Sequence, residues 1–224
     1  RALALAWLYV AHTHSTVSRE SLTALVEGFQ THKTLQIGEI WALPSFLRFV
    51  LIENLRRISI RVERSRRMRH KANEVVDEII RLNDAEPSAE FLKQIDPLVD
   101  DPTFATQFLY RLKNGSQTSN FALNWLEERL HSVGTDAENV MMAEHNRLAS
   151  GNVTMGNIVR SLREIDDTEW SVWFEDVSHI DKVLREQTDY ETLDFGSRNT
   201  YRNNVELLAR RSPKTEVELA QLAV

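Results

Sequence analysis

The chain contains no cysteine, which excludes disulfide staples, thiolate metal sites and thiol nucleophiles and fits a reducing compartment. Glycine and proline are nearly as scarce, with seven Gly and five Pro in 224 residues, where roughly 12% is usual in soluble domains. Sheets place those residues in hairpin turns, so the shortage favours helices. Long apolar runs are missing too. The longest, Ala2 to Ala11, is ten residues, and about twenty are needed to span a bilayer. That run also lacks the basic leader and small-residue cleavage site of a signal peptide. Arg1 stands where an initiator Met would, so we expect the chain to be a piece of a longer protein.

What is present suits a globular helical chain. Hydrophobic residues make up 42% and charged residues 27%, and the net charge of −6 argues against nucleic acid as a general partner. Helix starts and stops are legible along the sequence. Ala2–Ala11 reads as a helix buried nearly all round. Ser18 caps a helix through Phe29, followed by a break over Thr31–Gly38. From Pro44 onward, Leu47, Leu51, Leu55, Ile58, Val62, Met68, Ala72, Val76 and Ile79 form one stripe at three- and four-residue steps, interrupted only at Ser65. The stripe predicts a spine helix over 43–82, about 60 Å long at roughly 1.5 Å per residue.

The second half predicts stacked shorter helices packed antiparallel. Asp101-Pro102 opens one that Gly115 ends, and another runs from Ser119 to Val133 before Gly134. Thr135 with Glu138 reads as a capping box for a helix reaching Ser150, where Gly151 stops it and Asn152 opens the next, through Ile165. Further helices are expected over Thr168–Glu186 and from Asp194 to Arg211, with a second capping box at Thr215 and Glu218. The fold class expected is all-α. We expect one helical region over 1–224, with a long-helix part over 1–83 and stacked short helices over 101–224.

Two clusters stand out. Arg56, Arg57, Arg61, Arg64, Arg66, Arg67, Arg69 and Lys71 put eight positive charges into sixteen residues of the spine, opposed only by Glu63. Such a face suits anionic lipid headgroups, an acidic protein or a phosphate backbone. Equally, it suits a solvated helix surface neutralised by Glu74, Asp77 and Glu78. Asp166, Asp167, Glu169, Trp170, Trp173, Phe174, Glu175 and Asp176 pair indoles with carboxylates, as a glycan contact would. Trp170, Trp173, Phe174 and Val177 also form a plain core stripe with exposed acids beside it, the favoured reading.

Catalytic signatures are absent from the sequence. The seven histidines are scattered without H-E-x-x-H spacing, and there is no G-x-S-x-G, phosphate-cradling glycine loop, D-x-D or Arg-Trp pair. No catalytic, cofactor-binding or metal-ligating residue is assigned.

Longer strings carry a resemblance. Ile37-Gly-Glu-Ile-Trp-Ala-Leu-Pro44, continuing to Leu51-Ile-Glu-Asn-Leu-Arg-Arg57, resembles a segment of the bacterial cyclic β-1,2-glucan synthases. So do Ala143-Glu-His-Asn146, Asn152 to Arg163, Trp173 to Ser178, Asp194 to Arg202 and Glu206 to Ser212. The resemblance implies a large inner-membrane enzyme. Such an enzyme joins a processive glycosyltransferase, fed by UDP-glucose with a divalent metal, to a C-terminal glycoside phosphorylase region. The glucan grows on a tyrosine of the protein, is trimmed, and is then cyclised and released. The matching segment lies N-terminal to the glycosyltransferase core, so no family catalytic residue carries over. On this reading the chain is a non-catalytic helical region on the cytoplasmic side, partnered by the rest of the synthase and an anionic membrane surface, with no cofactor of its own. The alternative is a free-standing helical module whose basic helix binds an acidic protein, a membrane surface or nucleic acid.

Overall fold

The computed structural model describes residues 1–82, 87–114 and 120–224. It is 84% helical. Among the described residues there are eleven α-helices, one 3-10 turn (Asp189–Thr192) and no strand, an all-α fold. In chain order the helices are α1 (Ala2–His12), α2 (Arg19–Gln30), α3 (Ile37–Arg81), α4 (Ala89–Val99), α5 (Pro102–Asn114), α6 (Asn120–Ser132), α7 (Ala137–Asp167), α8 (Trp170–Val177), α9 (His179–Gln187), α10 (Phe195–Ala209) and α11 (Glu216–Ala223). None of them is long and apolar enough to cross a membrane.

Local side-chain chemistry sets many of these ends. The Ser18 hydroxyl accepts the Ser21 N–H at 3.3 Å, and the Asp194 carboxylate accepts the Ser197 N–H at 3.0 Å. At Thr215 the expected capping box forms: its hydroxyl accepts from Glu218 N–H at 3.2 Å, and the Glu218 carboxylate accepts from Thr215 N–H at 2.6 Å. Asp101 opens α5 by accepting the Thr103 N–H at 3.0 Å. Each such cap contributes about 1 kcal/mol. Gly134 ends α6 at φ 76°, a left-handed conformation that glycine adopts without a Cβ penalty. The stop expected at Gly115 and the start expected at Ser119 lie outside the described residues.

Elsewhere tertiary burial overrides the local signals. The spine begins at Ile37 rather than near Leu43, which leaves Pro44 inside the helix. Ile37, Ile40 and Leu43 are all buried, and the Glu216 carboxylate accepts the Ile37 N–H at 2.8 Å, so the earlier turn is both packed and capped. Of the expected apolar stripe, Leu51 and Ile58 are buried but Leu55 is only half-buried, and Val62 is exposed. α7 continues through Gly151 without a left-handed residue there, so the expected break between Ser150 and Asn152 does not occur. Its N-terminus is capped by Asp136, which accepts the Asn139 N–H at 2.8 Å, rather than by Thr135. The helix expected over Thr168–Glu186 is two helices. Buried Ser178, with extended backbone, ends α8 and caps α9 by accepting the Asp181 N–H at 3.2 Å. α4 was not expected, because Pro97 in its last turn hides an amphipathic helix that Ser88 caps. α1 is buried on one face only, and its Leu8 is 49% exposed.

The chain divides into two compact units, one of residues 1–54 and 156–224, the other of 55–155. Within the first, α2 and α8 pack together, and α11 packs on both α9 and α10. Trp41 stacks on Phe174 with ring centroids 4.5 Å apart, and the Trp173 indole N–H donates to the Thr23 hydroxyl. The second unit is built on α4, α5 and α6. Val76 and Ile79 of the spine meet Ile95, Phe104, Phe108, Leu126 and Leu130 in one apolar cluster.

Candidate functional site

All eight basic residues of the Arg56–Lys71 stretch lie on α3 within the second unit. Helical geometry spreads them round the surface, and all are exposed except Arg69, which is half-buried. The acids expected to neutralise them are only partly the ones that do. Glu74 pairs with Lys71 at 3.2 Å, but Asp77 is taken by Arg111 and Glu78 by Arg81. Instead Arg64 reaches Asp101 at 3.1 Å, and Arg66 and Arg67 each approach Glu63 at 4.0 Å. Exposed pairs of this kind contribute about 0–1 kcal/mol, so they hold the stretch loosely. Arg61 and Arg69 have no ion pair among the described residues.

Ser65, the one gap in the apolar stripe, is buried for a reason the sequence does not display. Its hydroxyl accepts from the Arg147 guanidinium of α7 at 2.8 Å. Arg147 also forks onto buried Glu144, at 2.6 and 2.8 Å, and the Thr103 hydroxyl donates to the same carboxylate at 3.1 Å. The Glu144 hydrogen bond raises the Arg147 pKa above its ordinary value, against the opposing effect of burial. This polar cluster ties α3, α5 and α7 together and leaves none of its buried side-chain atoms without a hydrogen-bond partner. Beside it opens a cleft of about 310 Å³, lined by Arg61, Ser65 and Arg69 from α3 and by Arg147, Gly151 and Asn152 from α7, with Ile58, Val62, Leu148 and Met155 as its apolar walls.

The first unit hides a denser array. Arg202 of α10 is wholly buried and donates to Asp181 and Glu175, while Arg198 and Arg185 donate to Glu175 at 2.9 Å each. The Tyr190 hydroxyl donates to Asp181 at 3.0 Å. Phe174 and Phe195 flank the Arg202 guanidinium, each with its ring centre 5.2 Å away. Burial pushes the Glu175 carboxyl up, but hydrogen bonds from Arg202 and Arg198 outweigh it and hold the group below its usual range. Burial, then the Asp181 charge, push the Tyr190 phenol up, keeping it a neutral donor. Sequence reading placed Glu175 among exposed acids; it is instead a buried ion-pair partner, 8% exposed. Of the expected core stripe, Trp173, Phe174 and Val177 are buried, whereas Trp170 is only half-buried.

Among the described residues no three His, Asp or Glu side chains converge as a metal site would need. A larger cavity of about 640 Å³ in the first unit is lined by charges of both signs, among them the pairs Arg1–Glu39 and Arg210–Glu206.

The molecule is thus an all-α protein with a basic spine helix and an enclosed arginine knot. No family model matches it. Over all 224 residues it is 65% identical to the cyclic beta-(1,2)-glucan synthase NdvB of Rhizobium meliloti (strain 1021), and it spans 8% of that protein's length. The chain corresponds to a fragment of the cyclic β-(1,2)-glucan synthase family.

Proposed function

We propose that this chain is a non-catalytic helical region of a membrane-bound cyclic β-1,2-glucan synthase, whose parent chain transfers glucose from UDP-glucose. The observation that carries the reading is the 65% identity over the entire chain to a fragment of such a synthase. The disposition of charge supports a supporting rather than a chemical role. The most connected ionisable groups, around Arg202, are shut away from any substrate. UDP-glucose and its metal are held by other parts of the parent, and the partner of this region is the remainder of that chain.

On this reading the region lies on the cytoplasmic side of the inner membrane, with the Arg56–Lys71 stretch toward anionic headgroups. Each basic residue near such a surface contributes about 1 kcal/mol. Ile60 and Val62, both more than half exposed, stand among the arginines of this stretch on different sides of the helix. The test is UDP release by the purified chain supplied with UDP-glucose and magnesium or manganese. No release above the protein-free rate is expected. Release that a point substitution in this chain abolishes would overturn the reading.

A further inference from the structure

We propose that the cleft between α3 and α7 in the second unit is a binding site for a phosphate group, held by Arg61 and Arg69 against a wall made by Arg147. The inference goes beyond the role proposed above and does not depend on which protein the region serves.

Three observations converge on it. First, the charges of the basic stretch are not equivalent. Arg64, Arg66, Arg67 and Lys71 are matched by Asp101, Glu63 and Glu74, whereas Arg61 and Arg69 have no ion pair among the described residues. Both unmatched arginines line the same cleft, and no acidic residue lines it with them. Second, the third arginine is fixed in place. Arg147 is locked by Glu144, Ser65 and Thr103 at 2.6–3.2 Å, so a guanidinium stands ready without having to be ordered on binding. Ser65 accepts from Arg147 and keeps its own hydroxyl proton to donate. Third, there is room. The cleft's 310 Å³ falls at the small end of the range of ligand sites, about 300–1,000 Å³. Gly151 in the α7 wall has nothing within 4 Å of where a Cβ would stand.

Two uncompensated guanidinium groups match the charge of a phosphomonoester or a diphosphate, and their planar forks suit its oxygens. The apolar walls of Ile58, Val62, Leu148 and Met155 accept whatever the phosphate is attached to. A lipid headgroup and a free phosphate compound share this chemistry.

The probe is inorganic pyrophosphate, titrated calorimetrically into the chain at low salt, with circular dichroism to verify folding. Wild type should bind at a one-to-one ratio, and the Arg61→Gln/Arg69→Gln double variant should bind about tenfold more weakly or worse. Arg66→Gln/Arg67→Gln removes the same charge away from the cleft and should bind within about twofold of wild type. Gly151→Met fills the cleft without changing charge in a helix that gains propensity from the replacement, so it should lose binding while remaining folded. A vesicle arm distinguishes the two sources. If pyrophosphate releases the chain from phosphatidic acid vesicles, the cleft takes a lipid headgroup; if vesicle binding persists under saturating pyrophosphate, the cleft takes a free phosphate compound. Absence of pyrophosphate binding, equal losses in the two double variants, or full binding by folded Gly151→Met would each overturn the proposal.

Discussion

Arg202 and Asp181 meet at 2.6 Å with neither side chain exposed at all, joining α10 to the start of α9. Each charge has a further partner, since Asp181 also accepts from Tyr190 and Arg202 also donates to Glu175, while the buried Arg202 Nη1 has no hydrogen-bond partner among the described residues. Desolvating two ions is costly, so removing one partner leaves the other charge stranded. Arg202→Met or Asp181→Leu should each destabilise the chain by about 3–5 kcal/mol. Urea denaturation measures this, and losses near 1 kcal/mol, the size expected of about one ordinary hydrogen bond, would mean that water reaches the pair.

Glu216 gives the first unit a pH dependence of opposite sign to that of Glu175. Burial raises the Glu216 pKa, and Glu206 and Glu39 add to the rise against the Ile37 N–H that it accepts. A carboxyl whose folded pKa is raised contributes stability present below its unfolded pKa, about 4.3, and lost as pH rises through the folded value. Glu175, held low, contributes stability that is present above the unfolded value and lost as pH falls through the folded one. Glu216→Gln keeps an acceptor for Ile37 and removes the titration. Its stability relative to wild type should therefore climb as pH rises above the unfolded pKa of about 4.3. A constant difference in urea midpoint above that pH would contradict the assignment.

Along the spine, burial separates residues that the stripe treated alike. Leu51 is fully buried, so Leu51→Ala should cost about 2–5 kcal/mol, whereas half-buried Leu55→Ala should cost distinctly less. Equal losses in chemical denaturation would show that the two sites collapse alike.

How far the sequence could be read depended on the range of the forces involved. Ser18, Asp194 and the Thr215–Glu218 box act within three residues of themselves, and each was legible as a cap. Gly134 and Gly151 look alike in sequence, yet only Gly134 turns left-handed; α7 continues through Gly151 because residues beyond it, Ile158 and Ile165, are buried in helical register. Pro44 suggested a first turn, while burial of Ile37 and Ile40 extended the helix ahead of it. The site residues divide in the same way. The basic stretch is visible as composition, and the gap at Ser65 is visible as a break in a stripe. Its cause, Arg147, is 82 positions away. No periodicity pairs Asp181 with Arg202 across separate helices, so the knot had no sequence signal beyond a charged residue on an otherwise apolar face.

The proposed orientation toward the bilayer predicts a salt-dependent membrane contact. Binding of the chain to vesicles should require anionic lipid and weaken as the Debye length falls from about 10 Å to about 3 Å between roughly 0.1 and 1 M salt. Changing Arg64, Arg66, Arg67 and Arg69 together to Gln should reduce it further. Equal flotation with neutral and anionic vesicles, or no effect of the four changes, would return the stretch to a solvated surface.

On the proposed reading, this region holds no catalytic group of the synthase. Glucose transfer from UDP-glucose by the intact parent enzyme tests it most directly, with conservative single changes at polar groups of this region: Glu144→Gln, His145→Gln, Asp166→Asn and Asp176→Asn. Every variant that folds should retain kcat within about twofold of wild type if, as proposed, no group here touches the reacting atoms. Loss of a catalytic acid or base costs about 10²–10⁴ in rate. A fall of that size in a folded variant would contradict the account.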